Sequence, residues 1–149
     1  MVRALKYHGQ TAYARVLGEQ LATYLRRVRR QPWPECIVPV PLADKRFHER
    51  GFNQAMEIGR TLQARLDIPM RADLVYRVRE TREQAGLDRA ERRKNVRKAF
   101  ATSNRIDVRQ MAILDDVVTT GSTADELARV LMRAGATQVE LWAVARVSL

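Results

Sequence analysis

The sequence predicts an α/β fold with a mostly parallel central sheet flanked by helices. Two observations carry this expectation. Short apolar runs of strand length, such as Cys36–Val40 and Met111–Leu114, alternate with longer stretches of helical spacing, the signature of strand–helix–strand units. Met111–Leu114 is apolar at every position, as a strand covered on both faces requires, and it leads through Gly121 into an amphipathic segment. At 149 residues the chain has the length of a single domain, 1–149, with room for a sizeable core.

The elements follow in order. From Thr11 to about Val28, Val16, Leu17, Leu21, Tyr24, Leu25 and Val28 fall at helical spacing, and Pro32 and Pro34 bar continuation. Arg26, Arg27, Arg29 and Arg30 cluster at the C-terminal end of that helix, where cations meet the negative end of its dipole, and they read as a solvated face. Cys36–Val40 reads as a buried strand, with Cys36 a small core residue. Pro41–Gly51 is polar and basic, hence a loop. Asn53 opens a second helix with Ala55, Ile58, Gly59, Leu62 and Leu66 on one face, ended by Asp67–Pro69. Leu74–Val78 reads as a strand. Arg79–Lys94 is too charged to show a useful apolar period and fits either a solvated helix or a mobile loop. Val96–Phe100 reads as a further strand, Asp107–Gln110 as a turn and Met111–Leu114 as the central strand. Ala124–Ala134 reads as a helix with Leu127 and Leu131 inward and Gly135 as its stop. Val139, Leu141, Ala143, Ala145 and Val147 alternate as in a strand, and Trp142 and Val144 make its other face apolar too.

Composition narrows the function classes. Hydrophobic residues make up 46%, which excludes wholesale disorder. No apolar run approaches the ~18 residues of a membrane span. The start, MVRALKYHGQ, lacks the apolar core of a signal peptide, so a cytoplasmic protein is expected. One cysteine rules out an internal disulfide. The formal net charge of +10 favours polyanionic partners: phosphorylated substrates, nucleic acid or an acidic protein surface. Half of it lies between Arg77 and Lys98, where nine bases face four acids. Only Tyr76, at the edge of that segment, offers an aromatic ring, and no helix-turn-helix pattern is present. At most weak, non-specific DNA binding is therefore expected.

The chemistry concentrates in MAILDDVVTTGST, Met111–Thr123. A buried strand ends on Asp115 and Asp116, turns through Thr119, Thr120, Gly121, Ser122 and Thr123, and enters a helix with Asp125 and Glu126 in its first turn. Hydroxyls and backbone N–H groups at a helix N-terminus bind phosphate well. Two carboxylates beside such a cradle accept hydrogen bonds from vicinal hydroxyls, so the pattern suits a sugar carrying a 5′-phosphate. An acidic pair alone is commonly a helix cap or a solvated corner; the whole pattern carries the specificity. Neither a Gly-Lys-Ser/Thr loop nor a Gly-x-Gly-x-x-Gly turn is present. The run resembles the phosphoribosyl-pyrophosphate (PRPP) motif of type I phosphoribosyltransferases.

Two further stretches belong with it. The loop in VPVPLADKRFHERGFNQ, Val38–Gln54, sets Lys45, Arg46, His48 and Arg50 between a strand and a helix, where basic residues grip pyrophosphate, or simply form a solvated connection. Thr81–Phe100 has the composition of a hood that closes over an anionic substrate and excludes water, or of a charged surface helix.

Together these pieces resemble the ComF family, which includes the proteins called GntX. The matching pieces are ALKYHG, VPVP with RFHERGFNQA, then Thr81, Gln84, Leu87, Arg92, Asn95 and Ala99–Phe100, and ILDDVVTTGST; they span nearly the whole chain in the right order. The resemblance implies a type I phosphoribosyltransferase fold with a mobile hood, and a cytoplasmic role in natural competence and the handling of incoming DNA, with competence or DNA-processing proteins as partners. It implies a catalytic set of Asp115, Asp116 and Arg92, with the aspartates on the ribose hydroxyls. Thr119–Thr123 would bind the 5′-phosphate. Val40, Pro41, Lys45, Arg46 and Arg50 would face pyrophosphate, and Gln84, Arg92 and Asn95 would belong to the hood. Mg²⁺ would arrive with PRPP near Asp115 and Asp116 rather than on a metal site of the protein's own.

The sequence departs from the family pattern twice. Members often begin with a cysteine-rich zinc ribbon, and this chain starts after it would have ended, so the expectation is a short form or a gene without the ribbon. Many purine-salvage relatives carry an acid where this chain has Thr119, which makes purine salvage less favoured and leaves the acceptor unassigned. Beside an active transferase stand two alternatives: a non-catalytic PRPP- or nucleotide-sensing or partner-docking module, and an interaction domain that has lost its ligand.

Overall fold

A computed structural model describes residues 11–42, 51–81, 88–102 and 106–147 of the chain. Helix α1 spans Thr11–Val28, strand β1 Cys36–Pro39 and helix α2 Gln54–Leu66. Then come β2, Tyr76–Arg77, α3, Arg89–Val96, and β3, Phe100–Ala101. Strand β4 covers Gln110–Val118, helix α4 Ser122–Ala134 and strand β5 Gln138–Arg146.

Three strands form a parallel sheet in the order β1-β4-β5, with Val38 opposite Ile113 and Ile113 opposite Leu141. A parallel bridge from Ile37 to Met70 extends pairing beyond β1. Strands β2 and β3 form a separate antiparallel ribbon. Because successive residues of a strand face opposite sides, the apolar run of β4 feeds two cores. Ala112 and Leu114 pack with Ile37, Trp142 and the buried stripes of α1 and α2. Met111 and Ile113 pack with Cys36, Val38, Phe100 and with Leu127 and Leu131 of α4. Helices thus cover both faces of the sheet, as expected.

Helices α1 and α2 approach closely at Gly18, where a Cβ would come within 2.6 Å of the Thr61 Cβ. The stripe that α1 buries is Ala14, Leu17, Leu21, Ala22 and Leu25; Val16, Tyr24 and Val28, expected on that face, are exposed. Asp67 stops α2 in the left-handed region, φ 57°, and its N–H donates to the Gln63 carbonyl at 3.0 Å.

Several boundaries differ from expectation. The strand expected over Leu74–Val78 is only Tyr76–Arg77, and Leu74 and Val75 fill the core outside it. The segment left open between helix and loop forms α3 from Arg89 onward, nucleated by a capping box: the Asp88 carboxylate accepts the Glu91 N–H and the Glu91 carboxylate accepts the Asp88 N–H, each at 2.8 Å. Val96 therefore closes a helix rather than opening a strand, and Lys98, at φ 56°, turns the chain into β3. Gln110 begins β4 instead of ending a turn; the Glu35 carboxylate accepts the N–H groups of Arg109 and Gln110 at 3.0 and 2.9 Å.

The arginine cluster after α1 is not uniformly solvated. The Arg29 side chain is 8% exposed and pairs with Glu140 of β5 at 2.8 Å. Its guanidinium lies 5.1 Å from the Trp33 ring centre and 6.0 Å from that of Trp142. A cation stacked on aromatic faces and paired with a carboxylate is a structural tie, here from the end of α1 to the edge of the sheet.

Candidate functional site

Strand β4 does not end on its aspartates. Asp115 lies opposite Ala143 and Val117 opposite Ala145, so pairing with β5 carries the strand through to Val118. The strand's period places Asp115 on the α4 side of the sheet and Asp116 on the α2 side. One oxygen of each carboxylate accepts the next backbone N–H: Asp115 Oδ1 from Asp116 at 2.9 Å, Asp116 Oδ1 from Val117 at 2.8 Å. These local bonds fix the two carboxylates at the carboxyl end of the sheet, where open α/β sheets place their ligands. Asp116 is buried and Asp115 half-buried.

Beyond Val118 the chain turns through Gly121, whose φ of 79° suits a residue without a Cβ, and enters α4. Gly121 supplies no side-chain cap, so the positive end of the α4 dipole opens where Thr120 and Ser122 share a 2.8 Å hydroxyl–hydroxyl hydrogen bond. Glu126, expected in the first turn beside Asp125, lies just past it, is buried and accepts the Lys98 N–H at 2.8 Å.

A cavity of about 270 Å³ gathers these groups. Asp115–Ala124 form one wall. Val40–Leu42, after β1, and Asn53–Ala55, at the start of α2, form another, with Arg77 of β2 and Arg92 of α3 adding two guanidinium groups. Asn53 joins the elements of the second wall. Its Oδ1 caps α2 by accepting the N–H groups of Ala55 and Met56 at 2.9 and 3.3 Å, and its Nδ2 donates to the Val40 carbonyl at 3.0 Å. Arg77 lies 4.6 Å over the Phe100 ring and donates to Thr81 Oγ1 at 3.0 Å. Arg92 is 8% exposed. The starts of two helices, two arginines and two carboxylates thus line one cavity, an arrangement matched to a ligand bearing both anionic groups and hydroxyls.

The cavity brings together Asp115, Asp116, Arg92, Thr119–Thr123, Val40 and Pro41 from the sequence expectation. Asn95 lies on α3 outside the cavity lining, where its carbonyl accepts Arg79 Nη2 at 2.6 Å. Lys45, Arg46, His48, Arg50 and Gln84 lie outside the described residues. Sequence reasoning did not name Leu42, Asn53, Gln54, Ala55, Arg77, Val117, Val118 and Ala124, which also line the cavity. The signal for Gln54 and Ala55 was present in Asn53: a residue that caps a helix just after a strand-end loop puts that helix's start at the ligand end of the sheet. Among the described residues no cluster of three or more acidic, histidine or cysteine side chains could hold a metal unaided. Two carboxylates beside phosphate cradles do fit Mg²⁺ carried in on a phosphorylated ligand, since that ion takes one or two carboxylates and completes its shell with phosphate oxygens and water.

No model of a known protein family matches the chain. Competence protein F of Haemophilus influenzae is 36% identical over 152 residues, covering 98% of this chain and 66% of that protein. The DNA utilization protein YhgH of Escherichia coli K12 is 35% identical over 149 residues, with the same two shares. Competence protein ComFC of Streptococcus pneumoniae is 27% identical over 141 residues, 95% of this chain and 60% of that one. The chain belongs to the ComF family. It spans just under two thirds of the length of the curated relatives it matches. Among solved structures it is similar to the glutamine PRPP amidotransferase of B. subtilis, with a TM-score of 0.58 and 17% identity over 90% of this chain and 26% of that one. Adenine phosphoribosyltransferase of Leishmania donovani gives a TM-score of 0.50 and 19% identity over 88% and 52%. The ComF chain therefore has the type I phosphoribosyltransferase fold. Among its described residues no helix is long and apolar enough to cross a membrane.

Proposed function

We propose that this ComF-family chain binds PRPP in the cavity at the carboxyl end of β4, as a phosphoribosyltransferase-like protein serving the uptake and use of incoming DNA. One observation carries the reading: Asp115 and Asp116, the start of α4 and Arg92 line a single cavity. In this reading Thr119–Thr123 and the α4 N-terminus hold the 5′-phosphate, and the aspartates accept hydrogen bonds from the ribose hydroxyls. Val40 and Pro41, with Lys45, Arg46 and Arg50 of the following loop, face pyrophosphate. Arg92 offsets charge on the phosphates. Mg²⁺ bound with PRPP would supply charge neutralisation at pyrophosphate and the ribose hydroxyls. In a transfer reaction the bond from the anomeric carbon to the pyrophosphate oxygen breaks and an acceptor bonds to that carbon. The aspartates position the ribose and do not attack it, so rate enhancement comes from orientation and electrostatics. The DNA-linked role rests on the relatives named competence protein F and DNA utilization protein. Direct contact with DNA would be weak and non-specific, through clustered Arg and Lys, and would fade between about 50 and 200 mM salt.

A second reading is a non-catalytic PRPP- or nucleotide-sensing module. Thr119 favours it, because Thr119 lines the cavity where many purine-salvage relatives carry the acid that serves the base. Pyrophosphate release from PRPP and Mg²⁺, screened across base and amine acceptors, separates the two. Release with one acceptor class supports a transferase. PRPP binding without release under any acceptor supports a sensor, and no PRPP binding at millimolar ligand overturns both.

A further inference from the structure

We propose that Gln54 is a ligand-contacting residue of the cavity, its side-chain amide donating to a phosphate oxygen at the pyrophosphate end. This rests on the PRPP reading above. Gln54 is the first residue of α2, 3% exposed, and lines the cavity together with Val40–Leu42 and the α4 loop. Its Nε2 is buried and has no hydrogen-bond partner among the described residues. The neighbouring amide of Asn53 uses both its oxygen and its nitrogen on backbone groups, at 2.9, 3.0 and 3.3 Å. Two adjacent amides therefore differ: one builds the start of the helix, and the other holds donors in reserve.

Buried donors are nearly always paired, because leaving one unpaired costs folding stability. Packing does not demand the amide here, since an apolar side chain of similar volume would cover the same wall. An NH₂ group donates only, so its partner must be an acceptor. It stands at the positive end of the α2 dipole, which selects an anionic acceptor. A ligand whose 5′-phosphate sits at the start of α4 brings its second anionic group to the Val40–Leu42 and Asn53–Ala55 wall, where Gln54 lies.

The test is calorimetric titration of the full chain and of its Gln54→Met and Gln54→Glu variants with inorganic pyrophosphate plus Mg²⁺, with PRPP plus Mg²⁺, and with ribose 5-phosphate. Gln54→Met should weaken pyrophosphate and PRPP about 10-fold, the scale of one hydrogen bond to a charged group. It should leave ribose 5-phosphate within about twofold, and leave the ligand-free Tm unchanged or raised, since the unpaired donor is gone. Gln54→Glu should weaken pyrophosphate further, because a carboxylate cannot donate and repels the anion. Unchanged pyrophosphate binding by Gln54→Met overturns the assignment alone. So does an equal loss for ribose 5-phosphate together with a lower ligand-free Tm, which marks a structural residue. Wild-type protein that binds none of the three ligands overturns the PRPP reading, and the assignment with it.

Discussion

Glu126 of α4 accepts the backbone N–H of Lys98 at 2.8 Å, tying the turn after α3 to the helix that begins at the cavity. Its other carboxylate oxygen pairs with Arg129, and the residue is 7% exposed. The contact matters because α3 carries Arg92 and the start of α4 carries Ser122 and Thr123. The two sides of the candidate site are held in register by a carboxylate that lies outside the cavity lining.

Glu126→Ala should therefore lower stability by about 1.5–3 kcal/mol, the scale of a hydrogen bond to a charged group. It should also weaken PRPP binding through displacement of Arg92. Urea denaturation and ligand titration measure the two effects; wild-type stability in the variant would contradict the tie.

Arg29 should be intolerant of conservative change. Lysine keeps the charge but loses the planar stack on Trp33 and Trp142 and the set of donors that bonds the Glu140 carboxylate through Nη1 and the Pro32 carbonyl through Nε and Nη2. Arg29→Lys should cost about 1–2 kcal/mol, and Arg29→Ala more. A double-mutant cycle with Glu140→Gln should show coupling; simple additivity would place Arg29 back among the solvated arginines.

Cys36 is 1% exposed, and burial pushes its thiol up from the usual 9.0 to about 11. The folded state therefore holds the thiol proton more tightly than the unfolded state does. The resulting stability is fully present below pH about 9 and is lost as pH rises through about 11. Iodoacetamide at pH about 8 should leave native Cys36 unmodified and label it only after unfolding. Stability of a Cys36→Ala variant should fall less steeply over the same alkaline range. Rapid labelling of the native protein would contradict the burial.

The sequence made the centre of the molecule legible and its periphery less so, for physical reasons. Met111–Leu114 and the Leu127, Leu131 and Gly135 pattern were readable because burial on the sheet imposes local periodicity, and Asn53 and Asp67 mark α2 through local capping. Where β4 stops was not readable. Its extension past Asp115 comes from pairing with Ala143 and Ala145, partners distant in sequence. Helix α3 stood open against a mobile loop because periodicity fails in a segment so charged, although Asp88 and Glu91 carried a legible start signal. The role of Arg29 was hidden because Trp33 and Glu140 join it only in the fold. In the site, the Asp-Asp and Thr-Thr-Gly-Ser-Thr run was legible as chemistry. Arg77 was not, because only the fold brings it to the same cavity.

The central claim, that the carboxylate pair and the α4 loop form a PRPP site, is tested most directly by titrating PRPP and Mg²⁺ into wild-type protein and the double variant Asp115→Asn, Asp116→Asn. Each aspartate is expected to supply a charged hydrogen bond worth roughly 1.5–3 kcal/mol. Wild-type binding that is lost by at least about 100-fold in the double variant, with the thermal unfolding of the ligand-free protein little changed, is the predicted result. A double variant that binds PRPP as the wild type does, or a wild type that does not bind it at millimolar concentration, would contradict the claim.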